Sequence, residues 1–225
     1  MIEWFQGLLD NPALSEKLPE ATVETLAMVL GSGLFAVLGG VPLGVILFVT
    51  ASKGIRPQRG VNLVVGTIVN IGRSIPFLIL VIAIIPFTRF VVGTSIGWQA
   101  ATVPLAIGAI PFYARLVEQS LREISPATID AVRVQGATRM QLCITLLRES
   151  LPSLVSGITV TVVTLVSYTV MAGAVGGGGL GQLAMNYGYS RFEGDVMLVT
   201  VVVMVLIVQG LQYLGDSIAR VIDHR

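Results

Sequence analysis

Charge is scarce in this chain: 12% of its 225 residues are Asp, Glu, Lys or Arg, against about a quarter in soluble domains. With 54% hydrophobic residues, the composition excludes an ordinary soluble fold and indicates an integral membrane protein. The single cysteine, Cys143, excludes an internal disulfide, and a lone thiol in an apolar helical run reads as packing. The single histidine, His224, has no clustered ligand partners, so no metal centre is expected. Nucleophiles, bases and ligands are too few and too dispersed for a membrane enzyme, and no catalytic residue is assigned. No G-x-x-x-x-G-K followed by Ser or Thr occurs, so nothing here cradles a nucleotide's phosphates and no cofactor is expected on this chain. Apart from Glu24 at the start of the first run and Glu118 near the end of the third, carboxylates are missing from the apolar runs, which counts against an autonomous channel or ion-coupled carrier. No basic cluster stands free of the membrane pattern, so nucleic acid is not a partner.

The N-terminus lacks the basic region, apolar stretch and small-residue cleavage site of a secretory signal. Ile2, Trp4, Phe5, Leu8 and Leu9 recur at near-helical spacing. That suits a segment lying in the headgroup region; a loosely ordered tail is the competing reading.

What is present is a series of long apolar runs. A membrane helix needs about 20 mostly apolar residues to cross about 30 Å of hydrocarbon, and the chain supplies about five such stretches. The first runs from Thr22 to Ala51, the second lies between Val61 and Phe87 with Arg73 and Pro76 interrupting it, and the third runs from Trp98 to Ala114, broken by Pro104 and Pro111. The fourth covers Leu151 to Ala174 and the fifth Val196 to Leu214. Glycines at 31, 33, 39, 40 and 44 give the first stretch surfaces for close helix packing. Lysine and arginine set the orientation. With the first loop, the charged segment after the third stretch and the C-terminus inside, Lys53, Arg56, Arg59, Arg115, Arg122, Arg133, Arg139, Arg148, Arg220 and Arg225 are cytoplasmic, leaving Lys17, Arg89 and Arg191 outside. The N-terminus is then outside and the C-terminus in the cytoplasm.

The segment Ile124 to Pro152 is the one polar interruption long enough to fold by itself. Ser125 before Pro126 reads as an N-cap and first helical position. Gly136 stops that helix, and Thr138 with Gln141 three residues later reads as a capping box that starts another. The product is a helix-turn-helix with a charged surface and no core of its own. It suits docking to a soluble partner; the bland reading of Asp130, Arg133 and Arg139 is an ordinary solvated face.

Further along, Gly176, Gly177, Gly178, Gly179, Leu180 and Gly181 formally match G-x-G-x-x-G. That fingerprint needs a strand before it in a soluble unit, and this run follows a membrane helix. The glycines are expected to break the helix and let backbones from two subunits approach at an outer mouth. Met171, among small residues, has the flexible apolar side chain to plug a pore, or simply fills a helix contact. Ser167, Tyr168 and Thr169 place hydroxyls on the same stretch, for a substrate's polar groups or for neighbouring carbonyls. Arg73 either faces a wet passage or snorkels to the cytoplasmic interface.

Asp130-Ala131-Val132, with Gly136-Ala137 after three residues and Leu151-Pro152 further on, resembles the EAA loop of the permease subunits of binding-protein-dependent ABC importers. Asp130 stands where the family usually has glutamate, Val132 where a small residue is frequent and Arg148 where proline is common. Four longer segments, Val69 to Leu80, Ile85 to Gly97, Pro111 to Ile124 and Gly173 to Tyr189, are similar to the methionine importer permeases in order and spacing. The resemblance implies an all-α polytopic membrane protein over residues 1–225, with about five transmembrane helices, an extracytoplasmic segment at 1–21 and a cytoplasmic coupling element at 124–151 between the third and fourth spans. It also implies a transport subunit rather than an enzyme, in a bacterial inner membrane, paired with a second copy of itself. Its partners would be two ATPase subunits that hold ATP and Mg and an extracytoplasmic binding protein delivering methionine. ATPase coupling is expected at Asp130, Ala131, Arg133, Gly136, Ala137 and Arg139, and the pathway at Arg73, Ser167, Tyr168, Thr169 and Met171. An importer for another amino acid or a small osmolyte is the nearest alternative.

Overall fold

The computed structural model describes residues 11–223. Ile2, Trp4, Phe5, Leu8, Leu9, His224 and Arg225 lie outside the described residues. Within them every regular element is a helix. A π-turn, Ala13–Lys17, leads into α1, Leu18–Thr50. There follow α2, Arg59–Ser74, α3, Phe77–Ala83, α4, Ile85–Val92, and α5, Trp98–Arg122. Two short helices, α6, Pro126–Val134, and α7, Arg139–Glu149, precede α8, Leu151–Ala174. The chain ends with α9, Gly179–Leu183, a second π-turn, Ala184–Tyr189, and α10, Gly194–Ile222.

By length and composition, α1 with its π-turn, α5, α8 and α10 can each cross a membrane, and α2 with α3 forms a fifth candidate bent by 100°. The bend has a local cause. Proline drives the preceding residue out of the helical region; Ile75 has ψ 122° and Pro76 itself ψ 131°, so two extended residues in succession separate α2 from α3.

Two expected breaks are absent. The third stretch, read as ending at Ala114 and broken by Pro104 and Pro111, is instead one continuous helix from Trp98 to Arg122. Membrane helices accommodate proline when neighbours and small local adjustments satisfy the freed carbonyls. The charged residues after Ala114 end the apolar run without ending the helix, because Arg115, Glu118 and Arg122 pair at spacings of three and four. Likewise the last helix extends beyond Leu214 to Ile222, with Gln212 donating to Asp216 one turn on. Arg59 and Arg220 are thus helical rather than loop or tail residues. At the other end the first helix begins before Thr22, at Leu18.

The chain divides into two compact units, one of residues 1–33, 76–106 and 162–211, the other of 34–75, 107–161 and 212–225. The first has a core of Ala13, Leu14, Ala21, Leu180, Leu183 and Val196. The second has Leu47, Val69 and Ala114, flanked by Leu43 and Val65. Lipid is as apolar as leucine, so hydrophobic burial does little to hold membrane helices together, and close backbone approach does more. In the second unit a Cβ on Gly44 would stand 2.6 Å from the Ala114 carbonyl oxygen, and one on Gly40 would stand 2.9 Å from Tyr113. These two glycines, four apart, let α1 lie directly on α5. Several buried hydroxyls are satisfied within their own helices: Ser32 donates to the Met28 carbonyl and Thr161 to that of Gly157, whereas those of Thr88 and Thr200 have no partner among the described residues.

Candidate functional site

The docking element is built from two caps. The Ser125 hydroxyl accepts the Thr128 N–H at 3.2 Å, and Pro126 occupies the first helical position, where a missing N–H costs nothing. Gly136, with φ +78°, reverses the chain after α6. Thr138 and Gln141 then form the reciprocal box: the Gln141 amide oxygen accepts the Thr138 N–H at 2.8 Å and the Thr138 hydroxyl accepts the Gln141 N–H at 3.3 Å. Such caps stabilise a helix by about 1 kcal/mol each, which matters for α6 because it buries none of its residues. By contrast, α7 is anchored by Leu142 and Leu146, both buried one turn apart. Asp130, Ala131, Arg133, Gly136 and Arg139 are all exposed, with Ala137 half-buried. Asp130 and Arg133 form a loose pair at 3.7 Å. Val134 is 88% exposed and Met140 69%. Sequence reading had not singled out these two apolar residues; their signal was an apolar pair flanking the Gly136 turn in an otherwise polar segment.

On α8 the four residues read as a pathway group divide. Ser167 and Met171, four apart, lie on its exposed face, with Met171 45% exposed. Thr169 lies on the opposite face, 1% exposed, and its hydroxyl donates to the Val166 carbonyl at 2.7 Å. Tyr168 stacks on Phe77 of α3, ring centroids 4.5 Å apart and planes within 5°.

The glycine run breaks the chain after α8, as its composition suggested. Gly176, Gly178 and Gly179 have φ of +89°, +79° and +71°. Its close approaches are to the chain's own helices. A Cβ on Gly179 would meet the Thr25 hydroxyl at 2.6 Å, and one on Gly181 the Val170 Cα at 2.6 Å. The loop is pinned to α1, where the Glu24 carboxylate accepts the Gly179 N–H at 2.7 Å and the Thr25 hydroxyl accepts the Leu180 N–H at 2.9 Å. The Gln182 side-chain oxygen caps Gly178 N–H at 2.7 Å. Neither Glu24 nor Thr25 is foreseeable from the loop itself, since 155 residues separate the partners.

Arg73 stands in the last turn of α2, exposed, on a hollow shared with Arg115 and Arg122. No group of His, Cys, Asp and Glu able to hold a metal ion occurs among the described residues.

A family model described as the binding-protein-dependent transport system inner membrane component matches residues 40–225. The chain belongs to this family. It is 49% identical over 94% of its length, and 94% of the relative's, to a probable D-methionine transport system permease protein of Vibrio cholerae. It is 46% identical over 98% of its length to the whole of a methionine import system permease protein of Bacillus subtilis. A solved structure of the MetNI methionine ABC transporter in an inward-facing conformation matches with TM-score 0.90 and 48% identity, over 93% of this chain and 98% of that one.

Proposed function

We propose that this chain is the permease subunit of an ATP-driven importer for methionine, working as a pair of identical permeases with two ATPase subunits and an extracytoplasmic binding protein. ATP and Mg then sit on the ATPase. The orientation is N-terminus outside, with α6, α7 and the C-terminus in the cytoplasm, in keeping with the distribution of lysine and arginine. The observation that carries the reading is α6, a helix capped at its start and turned by glycine at its end that has no fully buried residue, Thr128, Ile129 and Val132 being half-buried. A nine-residue helix is too short to be stable alone in water, so a partner groove is its natural complement. Its backbone polar groups are already satisfied, so it moves with that partner as a rigid body.

Substrate choice rests on likeness to the methionine permeases at nearly full length. The test is reconstitution. Vesicles containing the permease, its ATPase and its binding protein should accumulate labelled methionine with ATP, with other amino acids competing weakly. Vesicles holding the permease alone should accumulate none, and concentrative uptake by them would refute the coupling.

A further inference from the structure

Three guanidinium groups share one hollow of about 300 Å3, lined by Arg73, Arg115, Arg122, Glu118, Phe112 and Leu116 among others. Glu118 supplies its carboxylate, and both oxygens are taken. Its Oε2 pairs with Arg115 at 2.5 Å and its Oε1 with Arg122 at 2.6 Å, the side chain being only 5% exposed. The other Arg115 nitrogen donates to the Asn70 side-chain oxygen at 2.7 Å. The Arg73 side chain makes no hydrogen bond or ion pair with any described residue. Three guanidiniums against one carboxylate leave two positive charges uncompensated.

Depth decides what neutralises them. The 25 residues of α5 span about 37 Å at 1.5 Å per residue, longer than the hydrocarbon core of about 30 Å. Arg115 stands about 10 Å before the end of the helix at Arg122. Arg115 and Arg122 therefore lie at the junction of hydrocarbon and headgroups, the level of lipid phosphates, and Arg73, next to Gly72 on Pro111 about one turn deeper, reaches that level with its long side chain. Guanidinium donors match a phosphate's oxygens in pairs, and basic pockets between membrane helices take acidic headgroups. On α2, Ile68 and Ile71 are exposed, 62% and 57%, offering apolar surface on the helix that carries Arg73.

We propose that this hollow is a binding site for the phosphodiester headgroup of an acidic membrane lipid, with Arg73 as the contact and Glu118 holding Arg115 and Arg122 in place behind it. It does not depend on methionine as substrate, and its test involves no transport, so its failure leaves the importer reading intact. The full-length permease is extracted into detergent micelles doped with equimolar phosphatidylglycerol and phosphatidylcholine, and the lipids it retains are counted by native mass spectrometry. The wild type should retain phosphatidylglycerol preferentially. Arg73→Gln and Arg73→Ala should each lower that preference about fivefold, the effect of one cation at a membrane surface, and Arg73→Lys should retain part of it. Arg56→Gln, which removes a charge elsewhere, should leave it unchanged; an equal drop there would reduce the effect to net charge and overturn the site. No preference in the wild type, or equal retention by wild type and both Arg73 variants, would overturn it as well. Displacement of the lipid by millimolar inorganic phosphate or by methionine would reassign the hollow to a soluble anion and sink the lipid proposal.

Discussion

The carboxylate of Glu24 and the backbone N–H of Gly179 meet at 2.7 Å across 155 residues of chain. Gly179 is buried, so its N–H is left poorly solvated if the acceptor is lost. Leaving a buried donor unsatisfied costs about 1–3 kcal/mol. Glu24→Ala should therefore lower thermal stability in detergent by that amount, and Glu24→Gln, which keeps an acceptor oxygen, by clearly less. Equal melting temperatures for Glu24→Ala and the wild type would show that the contact carries no weight.

Gly179 itself should be far less replaceable than Gly60. Its φ of +71° strains any L side chain, and a Cβ there would collide with Thr25. The left-handed conformation alone costs about 1–2 kcal/mol, and the collision adds to it. Gly60→Ala, where nothing lies within 4 Å of the added carbon, should be neutral or slightly stabilising. Expression level and unfolding temperature of the two variants, compared side by side, check this; similar behaviour would contradict it.

Asp130 separates coupling from folding. Its side chain is 70% exposed and its pairing with Arg133 is loose, so Asp130→Lys should shift stability by no more than about 0.5 kcal/mol, as at an ordinary surface position. Uptake by the reconstituted importer should nonetheless collapse, because charge is reversed on the face proposed to meet the ATPase. Normal uptake by a properly inserted variant would remove Asp130 from the docking surface.

Cys143, on α7, gives a probe of local opening. Burial pushes its thiol above the usual value, so at a given pH less of it is thiolate, the reactive form. Alkylation by iodoacetamide at pH 8 should be slower in the native permease than after denaturation. The native rate should keep rising at pH values where that of an ordinary cysteine has levelled. Rates equal in the native and denatured forms would mean that α7 frays from its Leu142 and Leu146 anchors.

The elements legible in the sequence were those with local causes. Ser125, Gly136, Thr138 and Gln141 act on neighbours three or four residues away, and α6, its turn and the start of α7 stand where those residues put them. The limits of α8 were equally plain from its apolar run. Where charge was taken as the end of a helix, at Arg115 and again at Asp216, the run continued, since pairing along the helix satisfies what composition counts as a break. Position on a face was harder. Ser167, Tyr168 and Thr169 are consecutive, yet helical rotation sends Thr169 inward and leaves Ser167 exposed. Least legible were relationships between distant parts, such as Glu24 with the glycine loop and Arg115 with Asn70, which exist only once the helices have met.

The seam where Gly40 and Gly44 lie on Tyr113, Ala114 and Val117 bears on how the molecule can work. Interdigitated side chains let two helices slip by exchanging rotamers, like teeth passing a ratchet. Here α1 offers bare backbone, with no teeth to exchange and no clearance to tilt inward. Any side chain larger than hydrogen at either glycine would push the two helices apart, so the spacing of this seam is set by the absence of two Cβ atoms.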